Sequence, residues 1–244
     1  MINLNKVDET ATIDLSKGTT DLVVKAQWVD NGDASSDNDD LDLRCSILFP
    51  DGQMYLVDAE YRCALDQAPY AHHHGDVQNA SQEMPGEEVI TVAKDIAKRA
   101  GGPVAMVFSV YSALGNGAVS VASLKPQMKM SCGTDVVVCS YDFSKDISAA
   151  NPNIYTYVIG YAIVTESEVI LAPSGKTSRP GEEETAWISW HGSSVDVDVN
   201  GPAVFKGKQA SKGPSYNRQR NITKTFANVD QAKLQKKGLF GLFG

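Results

Sequence analysis

The chain has 244 residues, 42% hydrophobic and 21% charged, a composition that supports a packed core and excludes wholesale disorder. No apolar run reaches the roughly 18–20 residues a membrane helix needs, and the opening MINLNKVDET lacks a secretory pattern, so a cytoplasmic protein is expected. The net charge of −8 is uneven: residues 205–244 carry nine basic side chains against Asp230 alone, so a body of −16 wears a tail of +8.

Along the chain, short runs rich in Val, Ile, Thr and Tyr recur between turn signals: ATIDL, DLVVKAQWV, LDLRCSILF, QMYLVDAEYR, EVITVA, PVAMVFSVYSA, AVSVASLKPQMKM, TDVVVCSYDF, IYTYVIGYAIV and EVILA. This spacing predicts an all-β, antiparallel two-sheet sandwich. One helix is expected over Ala93–Gly102, stopped by a glycine pair. Pro50–Asp51–Gly52 predicts a hairpin, because Pro presets φ and Gly accepts the positive φ of a tight turn. TESE, Thr165–Glu168, predicts a second one, and GNGAVSVAS, Gly115–Ser123, reads as a hairpin turn. The expected division is residues 1–175 as the sandwich, 176–204 as added strands or linker, and 205–244 as a basic tail ending in GLFGLFG. Four cysteines, Cys45, Cys63, Cys132 and Cys139, have no C-x-x-C spacing and read as buried thiols.

The strand LDLRCSILF begins in a cluster of carboxylates. Alternation sends Asp40, Asp42 and Arg44 to one face and Leu41, Leu43, Cys45 and Ile47 to the other, the core face. Two carboxylates on one face repel unless a cation lies between them, and hard oxygen donors suit Ca2+. A second acidic segment, HHHGDVQNASQEMPGEEVITV, presents Asp76 and the pair Glu87 and Glu88 at another strand mouth. Two simpler readings stand beside this one: solvated acidic loops, and Arg44 neutralising Asp42 without metal.

DLDLRCSILFPDGQM followed by HGDVQNASQEMPGEEVITV resembles the paired signature of the TerD-domain family of tellurium-resistance and general-stress proteins. PVAMVFSVYSA, TDVVVCSYDF and ANPNIYTYVIGYAIV resemble later strands of that family, and the likeness spans Thr12 to Pro173. The resemblance implies a Ca2+-binding β-sandwich. It places Asp40 and Asp42 at the last two acidic positions of the strand, Asn38 at the first, Asp76 after the loop glycine and Glu87 with Glu88 at the close. Asp30, after Trp28, lies one residue from the family's Trp-Asp pair. Asn38 in place of an acid, Arg44 in place of a small residue and VQNASQEMP in place of a glycine-rich stretch depart from the family pattern. The resemblance further implies a non-enzymatic interaction module in a cytoplasmic stress or tellurite-resistance assembly, at the inner face of the membrane.

His72–His74 invite a transition metal, but three consecutive residues cannot face one ion from a strand, and only distant His191 remains to complete a set. They are read as exposed loop histidines. No nucleophile elbow, phosphate loop or dinucleotide fingerprint occurs. Asp196 and Asp198 share a strand face as a hydrolase pair would, yet their alternation with Val describes a half-exposed strand equally well. In the tail, Leu239, Phe240, Leu242 and Phe243 resemble a short hydrophobic anchor for a protein partner. The rival expectation is a structural scaffold whose basic tail binds nucleic acid, a membrane surface or neighbouring subunits.

Overall fold

The computed structural model describes residues 1–6, 9–18, 20–32, 39–78, 80–81, 83–113, 117–140, 151–181, 186–191 and 194–199. The expectations for Asn38, Leu239, Phe240, Leu242 and Phe243 lie outside these residues.

Two six-stranded sheets pack face to face, as expected of a sandwich. The first has the order β1 (Ile2–Leu4), β10 (Asp135–Cys139), β9 (Gln127–Cys132), β3 (Leu22–Trp28), β7 (Gly86–Val92) and β6 (Ala71–His73). The second runs β2 (Ala11–Asp14), β12 (Glu168–Pro173), β11 (Thr156–Val164), β8 (Val104–Tyr111), β4 (Asp42–Leu48) and β5 (Met54–Val57). All pairings in these sheets are antiparallel except β1 with β10.

Alternation fills the space between the sheets. Leu22, Val24, Ala26 and Trp28 of β3 and Ile90 and Val92 of β7 meet Leu43, Cys45 and Ile47 of β4 and Met106, Phe108 and Val110 of β8 in one core. Part of the outer face of the second sheet, over β4, β5 and β8, is also covered. There β13 (Trp187–His191) pairs with β14 (Ser194–Asp198), and Ala186, Ile188, Val197 and Val199 pack with Leu48, Leu56, Ala105, Val107 and Val158. The Ser46 hydroxyl donates to the Ala186 carbonyl at 2.6 Å and anchors this hairpin to β4.

Two of the three expected hairpins form. At β4–β5, the Gly52 N–H returns to the Phe49 carbonyl at 3.0 Å with Gly52 at φ 85°. At β11–β12 no glycine is needed, because the Thr165 hydroxyl accepts from the Glu168 and Ser167 amides at 3.0 and 3.3 Å. The helix contracts to α1 (Ile96–Ala100), closed by Gly101 at φ 80°.

Three expectations change. Gly115–Ser123 does not turn a hairpin, since β8 pairs with β4 and β11 while the chain crosses to β9 in the other sheet. Within AVSVASLKPQMKM, Val121–Leu124 forms a short helix, α2, with the Ser123 hydroxyl donating to the Ser120 carbonyl, and Pro126 follows before β9 begins. The three-histidine segment enters β6 rather than remaining a loop.

Candidate metal centre

At one end of the sandwich the mouths of β3, β4, β6 and β7 converge. There Asp42, Asp76 and Glu88 each offer a carboxylate oxygen, all within 4.8 Å of one another. Asp42 and Glu88 are buried, and Asp76 is exposed. Each arrives by a different route. Asp42 opens β4 on the second sheet, Glu88 projects inward from β7 on the first, and Asp76 comes from the loop after β6.

The inward turn of Glu88 follows from the register of β7. Gly86, Glu88, Ile90 and Val92 are buried, while Glu87, Val89 and Thr91 alternate toward the outer face. Glu88 Oε2 accepts the Leu43 N–H at 2.6 Å, a bond from one sheet to the other, and Oε1 accepts the Val77 N–H at 3.1 Å. His73, wholly buried, brings Nε2 to 3.3 Å from the same Oε2. Its Nδ1 accepts from the Gly75 N–H at 3.0 Å, so in the neutral ring the hydrogen resides on Nε2. Burial raises the Glu88 carboxyl above its ordinary value, opposed by His73 and the Leu43 amide and reinforced by the nearby charge of Asp42.

The surrounding loops are held by packing. Trp28 Nε1–H donates to the Asp39 carbonyl at 2.8 Å, and the Trp28 ring lies over Gly86, where a Cβ would come within 2.2 Å of it. Trp28 thus ties the chain entering β4 to the strand that carries Glu88. Gly86 is the residue small enough to let the ring lie there.

The other sequence candidates fall elsewhere. Glu87 faces outward, bonded to Lys25 Nζ and Gln27 Nε2 at 2.6 Å each, and is not joined to Glu88 in one ligand set. Its exclusion is a direct result of strand alternation, which sends neighbouring residues to opposite faces. Asp30 bonds the Gly32 amide in its own turn at 2.5 Å. Asp40 is buried beside the mouth but outside the three-carboxylate cluster. Arg44 stacks on Tyr111, with its guanidinium carbon 3.4 Å from the ring centroid. Burial pushes the Tyr111 hydroxyl well above its ordinary value, against the pull of that guanidinium. Asp196 and Asp198 lie on β14 opposite Ser189 and Trp187 in register.

His73 is the participant that sequence reasoning overlooked. The available signal was the period: in a strand AHH, Ala71 and His73 share a face, and small Ala71 marks that face as interior. The flanking histidines stay on the outside. His72 Nδ1 lies 3.0 Å from the Cys63 carbonyl and His74 Nε2 lies 2.8 Å from the Thr91 hydroxyl. Partial burial and the two neighbouring histidines hold His74 below the ordinary imidazole value. The thiols are all free, and burial drives Cys63 and Cys139 up to about 12, so both are protonated at neutral pH.

No protein-family model matches the chain, and no curated protein does. A solved structure described as an unknown function protein, SAV2460, aligns over 67% of this chain and 94% of its own, at 17% identity and a TM-score of 0.48. Among the described residues no helix is long and apolar enough to cross a membrane.

Proposed function

We propose that the protein is a Ca2+-binding β-sandwich module of the TerD type, without catalytic activity, that presents its acidic end to a protein partner in a cytoplasmic stress-response assembly. The observation that carries this reading is the meeting of Asp42, Asp76 and Glu88 within 4.8 Å. Three hard, anionic oxygen donors fit a divalent cation of the Ca2+ class, which completes its shell with backbone carbonyls and water. Exposed Asp76 supplies the entry side. The Leu43 and Val77 amides each donate to one oxygen of Glu88, which fixes the orientation of its carboxylate beside Asp42 and Asp76. Bound Ca2+ offsets the mutual repulsion of the carboxylates and ties the loop carrying Asp76 to both sheets.

A second reading rests on the same contacts. Because Glu88 is already held by Leu43, Val77 and His73, the cluster can serve as a metal-free polar clamp between the sheets of a scaffold protein. Thermal melts in Ca2+, Mg2+ or chelator separate the two. Ca2+ at about 100 times its Kd adds about 2.7 kcal/mol, an increase that Asp76→Ala and Asp42→Ala abolish. Equal melting temperatures in Ca2+ and chelator select the clamp.

A further inference from the structure

β6 and its continuation give three consecutive histidines two environments. His73 is spent inside, while His72 and His74, two residues apart, share the outer face with ring centroids 5.1 Å apart and planes inclined at 66°. Two imidazoles on one tetrahedral ion, bonded at about 2.1 Å, place their centroids about 5 Å apart. That spacing matches two rings on one ion, and equally an edge-packed ring pair.

We propose that His72 and His74 form a second cation site on the outer face of this edge strand, taking a borderline divalent ion of the Zn2+, Ni2+ or Cu2+ class.

The chemistry of each ring supports this. The Cys63 carbonyl can only accept, so the neutral His72 ring keeps its hydrogen on Nδ1 and its lone pair on Nε2. The Thr91 hydroxyl can accept from His74 Nε2, and in that tautomer the ring's lone pair lies on Nδ1. A carbonyl or hydroxyl behind the ring is the usual support of a ligating imidazole, fixing both tautomer and orientation. His72 is partly exposed and His74 exposed, so water can fill the remaining coordination positions. Nitrogen donors separate this site from the all-oxygen triad, because imidazole favours borderline ions and carboxylate favours hard ones. An ion bridging the two rings also braces the strand whose middle histidine supports Glu88.

The test uses the full chain with Zn2+ for calorimetry and Cu2+ for electron paramagnetic resonance, in excess Mg2+. One Zn2+ is expected to bind. His72→Gln and His74→Gln should each weaken it more than about tenfold and Thr91→Val about tenfold, whereas His191→Gln leaves it unchanged. The Cu2+ spectrum should show coupling to two nitrogens, reduced to one in either His72 or His74 variant. Zn2+ binding that survives both substitutions, falls equally with His191→Gln, or lacks the two-nitrogen signature overturns the site. A readout needing no variant is acylation of His72 and His74 by diethyl pyrocarbonate in the native chain, which Zn2+ must suppress. Unprotected rings under saturating Zn2+ also overturn it.

Discussion

The two sheets treat their outer faces differently. In the first, β3 and β7 alternate strictly between buried and partly exposed residues, so Lys25, Gln27 and Glu87 form a solvated ladder on one side of the sheet and the core lies on the other. In the second, every residue of β4 and β8 is buried, because β13 and β14 roof the outer face of these two strands. The same alternation of side chains therefore has different energetic consequences. On the open sheet an outward polar group faces water, whereas on the roofed sheet Arg44, Ser46 and Ser109 lie in the interior and depend on internal partners.

Glu88 and Glu87 sharpen this comparison most, being adjacent in sequence but on opposite faces. Glu88→Ala removes the acceptor for the buried Leu43 amide and the partner of His73, and should cost about 3 kcal/mol in chemical denaturation, at about 1–3 kcal/mol per buried group left unpaired. The same carboxyl supplies a pH signature. Its folded pKa is raised, so the folded chain holds this proton more tightly than the unfolded one. In chelator, this contribution to stability is present below the ordinary carboxylate range and lost as pH rises through the folded value. Glu88→Gln should flatten that slope in melts recorded across pH, whereas a slope retained in the variant would place its origin elsewhere.

Gly86→Ala comes next. A Cβ at 2.2 Å from the Trp28 ring forces that ring to move, with a penalty of about 1–3 kcal/mol. Because the Trp28 indole holds the Asp39 carbonyl, altered tryptophan fluorescence should accompany the loss. Ser46→Ala tests the roof. It leaves the Ala186 carbonyl without its 2.6 Å donor and should cost about 1 kcal/mol, with faster amide exchange confined to β13 and β14. Smallest of all, Glu87→Ala on the open sheet should change stability by less than about 1 kcal/mol, with the remaining effect shrinking in high salt. An effect as large as that of Glu88→Ala would show that the open ladder supports the fold as much as the buried clamp does.

Much of the strand content was legible because one solvated face leaves a period of two in the residues. LVVKAQW can be read directly, as can the Pro50–Gly52 hairpin, whose turn residues act locally. The β6 strand escaped because three polar histidines hide a period carried by Ala71 and His73 alone. The helix at Val121–Leu124 escaped because VSVAS has the texture of a strand, while Ser123 bonds locally back to Ser120. Of the expected ligands, Asp42, Asp76 and Glu88 come together, whereas Glu87 and Asp30 are engaged elsewhere.

By itself, then, the sequence determined the all-β class, the hairpin turns at Pro50–Gly52 and Thr165–Glu168 and the presence of carboxylates at two strand mouths, since these depend on side-chain period and on backbone preferences within a few residues. Only the tertiary structure decided which carboxylates meet. That selection required β4 and β7 to face each other from different sheets, with Trp28 seated on Gly86 to hold the entry to β4 and buried His73 beside Glu88. Contacts between residues 45 positions apart, such as the bond from the Leu43 amide to Glu88, are set by the packing of the two sheets, and no local pattern in the chain encodes them.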